Sequence, residues 1–109
     1  MHYDTGLAQR IREQVEALPG TSEKEMFGGL SFFVNGNLAV GVIGGDLMVR
    51  VGPDQNEKAL AHPAARPFNM TGKVMKGWVM VEPPGFEEDS ALSEWVQKGI
   101  EFARSLPAK

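Results

Sequence analysis

Two histidines, a serine near glycines, a glycine-spaced run and an acidic triplet are the residues whose types invite a chemical reading. His2 lies at the N-terminus and His62 abuts Pro63. Neither has a second ligand at the i, i+4 spacing that sets two imidazoles on one helix face. Structural or solvent-facing roles are expected for both. Gly29-Leu30-Ser31-Phe32-Phe33 is not a G-x-S-x-G nucleophile elbow, and a mid-strand serine has no exposed turn from which to attack. Gly41-x-x-Gly44-Gly45 lacks the strand–loop–helix setting of a phosphate loop, and no Gly-Lys-Ser/Thr follows it. Glu87-Glu88-Asp89 would suit a cation, but acids in and before a first helical turn are more simply the complement of the helix dipole. Cysteine is absent, which removes disulfides, thiolate metal centres and cysteine nucleophiles together. The expectation is a non-enzymatic chain with no catalytic residues, no metal and no cofactor.

Binding chemistry has more support. Arg50 ends an apolar run, and Arg66, Lys73, Lys76 and Trp78 fall in or beside a stretch, 62–81, that contains no acid. That stretch carries +3 in a chain whose formal charge is −3, so the remainder sums to −6. Cations interleaved with an aromatic and Gly-rich backbone could hold a phosphate, a nucleic-acid strand or an acidic protein segment. The alternative makes Trp78 part of the core and the lysines solvated loop charges, since three charges give only weak, salt-dependent affinity. Two function classes stay open, a protein-interaction or regulatory module and a small-ligand or nucleic-acid binder using the basic stretch. They separate on whether Arg50, Arg66 and Lys76 converge on one concavity or splay into solvent.

The elements that must position these residues are legible in the periodicity. Leu7, Ile11, Val15 and Leu18 form one stripe of a 3.6-residue repeat, with Asp4 or Thr5 as cap and Pro19-Gly20 as stop. From 26 to 51 the pattern turns to strands. The runs 30–34 and 38–43 flank Asn35-Gly36, the favoured pair for a two-residue type I′ turn. Gly44-Gly45-Asp46 turns the chain again into 47–51, and links this short require antiparallel pairing. Pro53 opens a short helix over 54–61, 66–76 reads as loop or ragged strand, and 77–81 is a further strand. A last helix starts at Asp89 or Ser90 and buries Leu92, Trp95, Val96, Gly99, Ala103 and Leu106. The 109 residues, 42% hydrophobic and 23% charged, suit one α+β domain over 1–109. No apolar run approaches the ~20 residues of a membrane helix, and no signal peptide is apparent, so a cytoplasmic setting without membrane contact is expected.

The segments Met26-Phe27-Gly28-Gly29-Leu30-Ser31-Phe32, Asn35-Gly36-Asn37, 47–52 and 66–79 carry a family likeness. In order and spacing they resemble the TfoX N-terminal domain family, the domain that opens the TfoX/Sxy regulators of natural competence in bacteria. Asn69 stands where the family pattern leads one to expect an acid, and Val74 where it has a proline. The resemblance implies a two-layer α-β3-α-β2-α fold like that of secretion chaperones, with part of 66–72 as a strand. It also implies a regulatory or protein-interaction role. The full-length regulators carry a second, helical domain for which these 109 residues offer no counterpart.

Strand parity adds an expectation about assembly. A two-residue turn at Asn35-Gly36 pairs Val34 with Asn37, Phe32 with Ala39 and Leu30 with Gly41. One face then carries Leu30, Phe32, Val34, Ala39 and Ile43, and the other Phe33, Leu38, Val40 and Val42. Both faces are apolar, although alternation should leave a solvated side polar. The second face is therefore expected to serve self-association, as in a homodimer, or contact with another protein; nucleic acid is the weaker candidate. If the terminal helices pack on opposite faces, that expectation falls.

Overall fold

A computed structural model describes residues 3–26, 28–69 and 72–109. His2 and the Phe27, Met70 and Thr71 of the family segments lie outside the described residues. The first helix, α1 (Thr5–Val15), is capped by Asp4, whose carboxylate accepts from the Gly6 and Leu7 N–H groups. Four strands follow: β1 (Thr21–Met26), β2 (Gly29–Val34), β3 (Asn37–Ile43) and β4 (Asp46–Arg50). A 3-10 turn at Pro53–Gln55 leads into α2 (Asn56–Leu60), then β5 (Ala65–Pro67), β6 (Trp78–Val81) and α3 (Asp89–Ser105). The strands form one antiparallel sheet in the order β1-β2-β3-β4-β6-β5. This is the expected α+β class, with one strand more than the α-β3-α-β2-α order. The added strand is β1, whose Thr-Ser-Glu-Lys-Glu-Met sequence carries almost no apolar signal because it pairs on one side only.

All three helices share one face of the sheet. Leu7, Ala8, Ile11 and Val15 of α1, Ala59 of α2, and Leu92, Trp95, Val96, Ile100 and Ala103 of α3 join one core. Its floor is Leu30, Phe32, Val34, Val40, Val42, Leu47, Val49, Val79 and Val81. The opposite face keeps its own cluster, Leu38, Met48, Phe68 and Met80, with Met26, Phe33, Ile43, Met75 and Trp78 half-buried around it. Here the expected parity needs correcting. The turn is as predicted, with Asn35 at φ 53° and Gly36 at φ 83° and Val34 opposite Asn37. Beyond it the register shifts, so Phe32 faces Val40 and Leu30 faces Val42. An extra residue on β3, Ala39, forms a bulge that flips every later side chain of that strand. Val40 and Val42 therefore lie under the helices, fully buried, and Ile43 joins the other face.

The bulge has a packing role. Gly99 of α3 comes so close to Ala39 that an added Cβ would meet the Ala39 carbonyl oxygen at 2.4 Å. No side chain fits between helix and sheet there. Further along, the Asn37 side-chain amide donates to the Ala103 and Pro107 carbonyls, and the Lys109 N–H donates to the Asn35 carbonyl. These bonds pin the end of α3 to the β2–β3 turn.

Candidate functional site

The uncovered sheet face is where composition and geometry depart most from an ordinary solvated surface. Register places Lys24 of β1, Phe33 of β2, Leu38 and Ile43 of β3, Met48 and Arg50 of β4, Trp78 and Met80 of β6, and Arg66 of β5 on it. Phe68 and the 72–77 stretch fold back over part of this face. The Phe68 N–H donates to the Trp78 carbonyl and the Met75 N–H to the Phe68 carbonyl, and the Phe68 ring stacks on Trp78 at 5.9 Å. Phe68 is thereby buried, whereas Met26, Phe33, Ile43 and Trp78 keep partial exposure. Val74, on the same segment, is 62% exposed.

The expected cationic residues do not converge. Arg66 is held by Asp46 at 2.6 Å and lies 3.9 Å from Glu82, so two carboxylates occupy it at one end of the sheet. Arg50 sits at the other end, opposite Trp78 in the register. Its guanidinium carbon lies over the Trp78 ring at 4.9 Å and over the Phe102 ring at 5.2 Å. Lys73 and Lys76 are exposed on the 68–77 segment. The five residues therefore spread along one face rather than lining one anion pocket. Trp78 is also not the buried core residue that the alternative reading required; it is a half-exposed platform for Arg50 and Phe68. Trp95 is the buried tryptophan, 5% exposed, with its indole N–H donating to the Gly85 carbonyl at 3.2 Å.

Charge sorts by face. The uncovered side and its 68–77 segment carry Lys24, Arg50, Arg66, Lys73 and Lys76 against Asp46 and Glu82. The rest of the chain holds six cations against twelve carboxylates. A net-negative molecule thus presents a positive apolar face. Sequence spacing exposed the acid-free 62–81 stretch and alternation placed Phe33 on the expected interaction face, but Lys24 is brought there only by the register of β1.

Concavities are modest. On the uncovered face a cleft of about 180 Å³ is lined by Ile43, Asp46, Arg66, Phe68, Asn69 and Met80. That is below the ~300–1,000 Å³ usual for a small-molecule site, and suits a single inserted side chain. On the helical side, grooves of about 230 and 490 Å³ run between the 51–62 segment and α3. Their ionic walls mix Lys58 and Lys98 with Asp54, Glu94 and Glu101, all exposed, so no charge of one sign converges there. His62, on the first groove, accepts the Ala64 N–H at 3.0 Å through Nδ1 and sets its ring edge to Trp95. Asp89 of the acidic triplet pairs with Arg10 at 3.0 Å. Among the described residues no three His, Cys, Asp or Glu side chains group as a metal site, and no helix is long and apolar enough to cross a membrane.

Comparison with known proteins places this geometry in a family. The model of the TfoX N-terminal domain matches residues 13–103. No curated protein and no solved structure matches the chain significantly.

Proposed function

The chain belongs to the TfoX N-terminal domain family, and on that premise we propose that it is a non-enzymatic interaction module whose uncovered sheet face docks an acidic segment of another protein. One observation carries the reading: the three helices all pack on one side, so the other keeps half-exposed Phe33, Ile43 and Trp78 among cations. Apolar anchors supply the affinity of such a contact, and complementary charge supplies its rate and selectivity. A regulatory role in the bacterial cytoplasm, as in the competence regulators the sequence resembles, is the setting we assign to it.

Charge also chooses among occupants. A second copy meeting this face with its own would set two positive surfaces together, and like charges disfavour that pairing. Pairing two β1 edges in an antiparallel register centred on Glu23, Lys24 or Glu25 opposes like charges, which is destabilising. An acidic partner meets neither obstacle. Nucleic acid is less suited, because Arg66 is already held by carboxylates and few free cations remain to neutralise phosphates.

Selection of random peptides on the immobilised protein, with Phe33→Asp as the counter-target, tests the proposal. Enriched sequences should combine Asp or Glu with aromatic or aliphatic residues, weaken as salt rises, and fail on Phe33→Asp. Neutral or basic sequences, or binding indifferent to Phe33→Asp, would sink it. Tighter retention of a single-stranded oligonucleotide, lost with Lys73→Ala and Lys76→Ala, would reassign the face to nucleic acid.

A further inference from the structure

Arg104 is exposed, Arg10, Arg12 and Arg66 are bonded to carboxylates, and Arg50 differs from all four in being half-buried against rings. Arg10 is bonded to Asp89 at 3.0 Å and to the Phe86 and Glu87 carbonyls. Arg12 grips Glu23 with two bonds, at 2.6 and 2.9 Å, and Arg66 is held by Asp46. Among the described residues none gives the Arg50 guanidinium a hydrogen bond or an ion pair. It is half-buried against the Trp78 and Phe102 rings. Ring faces attract the cation, but they leave its five N–H donors without proper acceptors. Burial pushes the Arg50 pKa down, the mark of a cation that has lost water and gained no anion in return.

The backbone around Arg50 is locked. The Val51 and Gly52 N–H groups both donate to the Gly77 carbonyl, at 2.8 and 3.0 Å, and the Gly77 N–H donates to Asn56 Oδ1 at 2.8 Å. Gly52 and Gly77 sit at φ 90° and 91°, a region that L side chains rarely adopt. A Cβ on Gly52 would strike the Phe102 ring at 2.5 Å, and one on Gly77 would come within 2.9 Å of the Gly52 carbonyl carbon. The backbone that carries Arg50 is thus fixed, and its guanidinium rests on the Trp78 and Phe102 rings. The N–H groups that would build a phosphate nest are already engaged, so the site offers a single planar fork. A planar carboxylate matches a fork, whereas phosphate sites gather several donors and charges.

We propose that Arg50 is a preformed receptor for a carboxylate of the docked segment, seated at the end of the uncovered face beside Trp78 and Phe102. This assignment rests on the docking reading above and deepens it by naming one anchor of the partner. The Asp or Glu side chain would take two N–H bonds from the fork, while apolar residues of the same segment cover Phe33 and Trp78.

The probe is a terminally blocked hexapeptide alternating Phe with Glu, compared with its Gln isostere and with inorganic phosphate. Binding is followed at the Arg50 Nε–H resonance by NMR. The Glu peptide should shift that resonance saturably, and the Gln peptide should bind about tenfold more weakly. Arg50→Lys, which keeps the charge and loses the fork, should lose about tenfold in affinity for the Glu peptide with an unchanged melting temperature. Arg10→Lys, on the helical side, should bind like the parent. Equal binding of the Glu and Gln peptides, or parental binding by Arg50→Lys, overturns the receptor. Loss on Phe33→Asp in that same experiment would leave the docking reading standing. A stronger, Arg50-dependent response to phosphate than to the peptide would overturn the carboxylate assignment, and no response to any probe would remove both.

Discussion

The two faces of the sheet are built from equally apolar strands and meet different fates. Under the helices, Phe32 and its neighbours are sealed by α1, α2 and α3. On the other side, Phe33 is the next residue of the same strand, yet among the described residues no helix covers that surface, Phe68 and the 72–77 stretch shield part of it, and Phe33 stays half-buried. Apolar composition alone therefore does not make a core. Cover makes a core, and where the chain supplies too little of its own, the remaining surface is available to a partner. Electrostatics follows the same division. On the covered side Arg12 closes onto Glu23 and Arg10 onto Asp89, while on the uncovered side Arg50 meets only rings.

Substitutions can break this contrast, and the largest effect belongs to the covered face. Trp95→Ala should cost about 3–5 kcal/mol, since it opens a cavity and strands the Gly85 carbonyl. A thermal melt matching the parent would show that α3 does not seal the core. The adjacent phenylalanines make the direct comparison. Phe32→Ala should also cost about 3–5 kcal/mol, whereas Phe33→Ala should cost under ~2 kcal/mol because its half-buried ring stays partly in contact with water. Equal losses in urea titrations would mean that the faces are equally buried. Asp4→Ala removes the cap of α1 and should cost about 1 kcal/mol, read as a lower denaturation midpoint with unchanged slope.

The smallest expected effect is at Glu23. Its carboxyl pKa is lowered, chiefly by the hydrogen bond from Arg12, whose own pKa that bond raises. A carboxyl depressed by folding contributes stability above its unfolded pKa and loses it as pH falls through the depressed folded value. The parent should therefore exceed Glu23→Gln by no more than about 0.5 kcal/mol at neutral pH, given the exposure of both partners. The two melting curves should converge in acid. A gap that persists at low pH would assign the difference to packing rather than to the ion pair.

Much of this contrast could be read before any coordinates, and the unread parts share a cause. The α1 stripe, the Asn35-Gly36 turn, the 77–81 strand and the last helix all carry strong periodic or turn signals. The β1 strand carries none, because an edge strand of Ser22, Glu23, Lys24 and Glu25 takes its pairing from β2 rather than from burial. The Ala39 bulge was hidden for the opposite reason. In Leu38-Ala39-Val40-Gly41-Val42-Ile43 no polar residue marks a side, so sequence alternation could not reveal the slip. That slip moved Val40 and Val42 from the expected binding face to the core. At the candidate site, the acid-free stretch was visible, but the separation of Arg66 from Arg50 depends on Asp46 and Glu82, which lie twenty and sixteen residues away from Arg66 along the chain.

The pinning of α3 to the β2–β3 turn bears on how the molecule comes together in time. Asn37 reaches carbonyls 66 and 70 residues further along the chain. The floor of the core lies earlier in the sequence than its largest cover, α3, which is made only after all six strands. Contacts of such long sequence separation close slowly, because loop entropy must be lost before they form. Until residues 89–109 are available, the Phe32 side lacks its largest cover and is exposed along with the Phe33 side. The interval before α3 docks is therefore when this chain is most prone to wrong association.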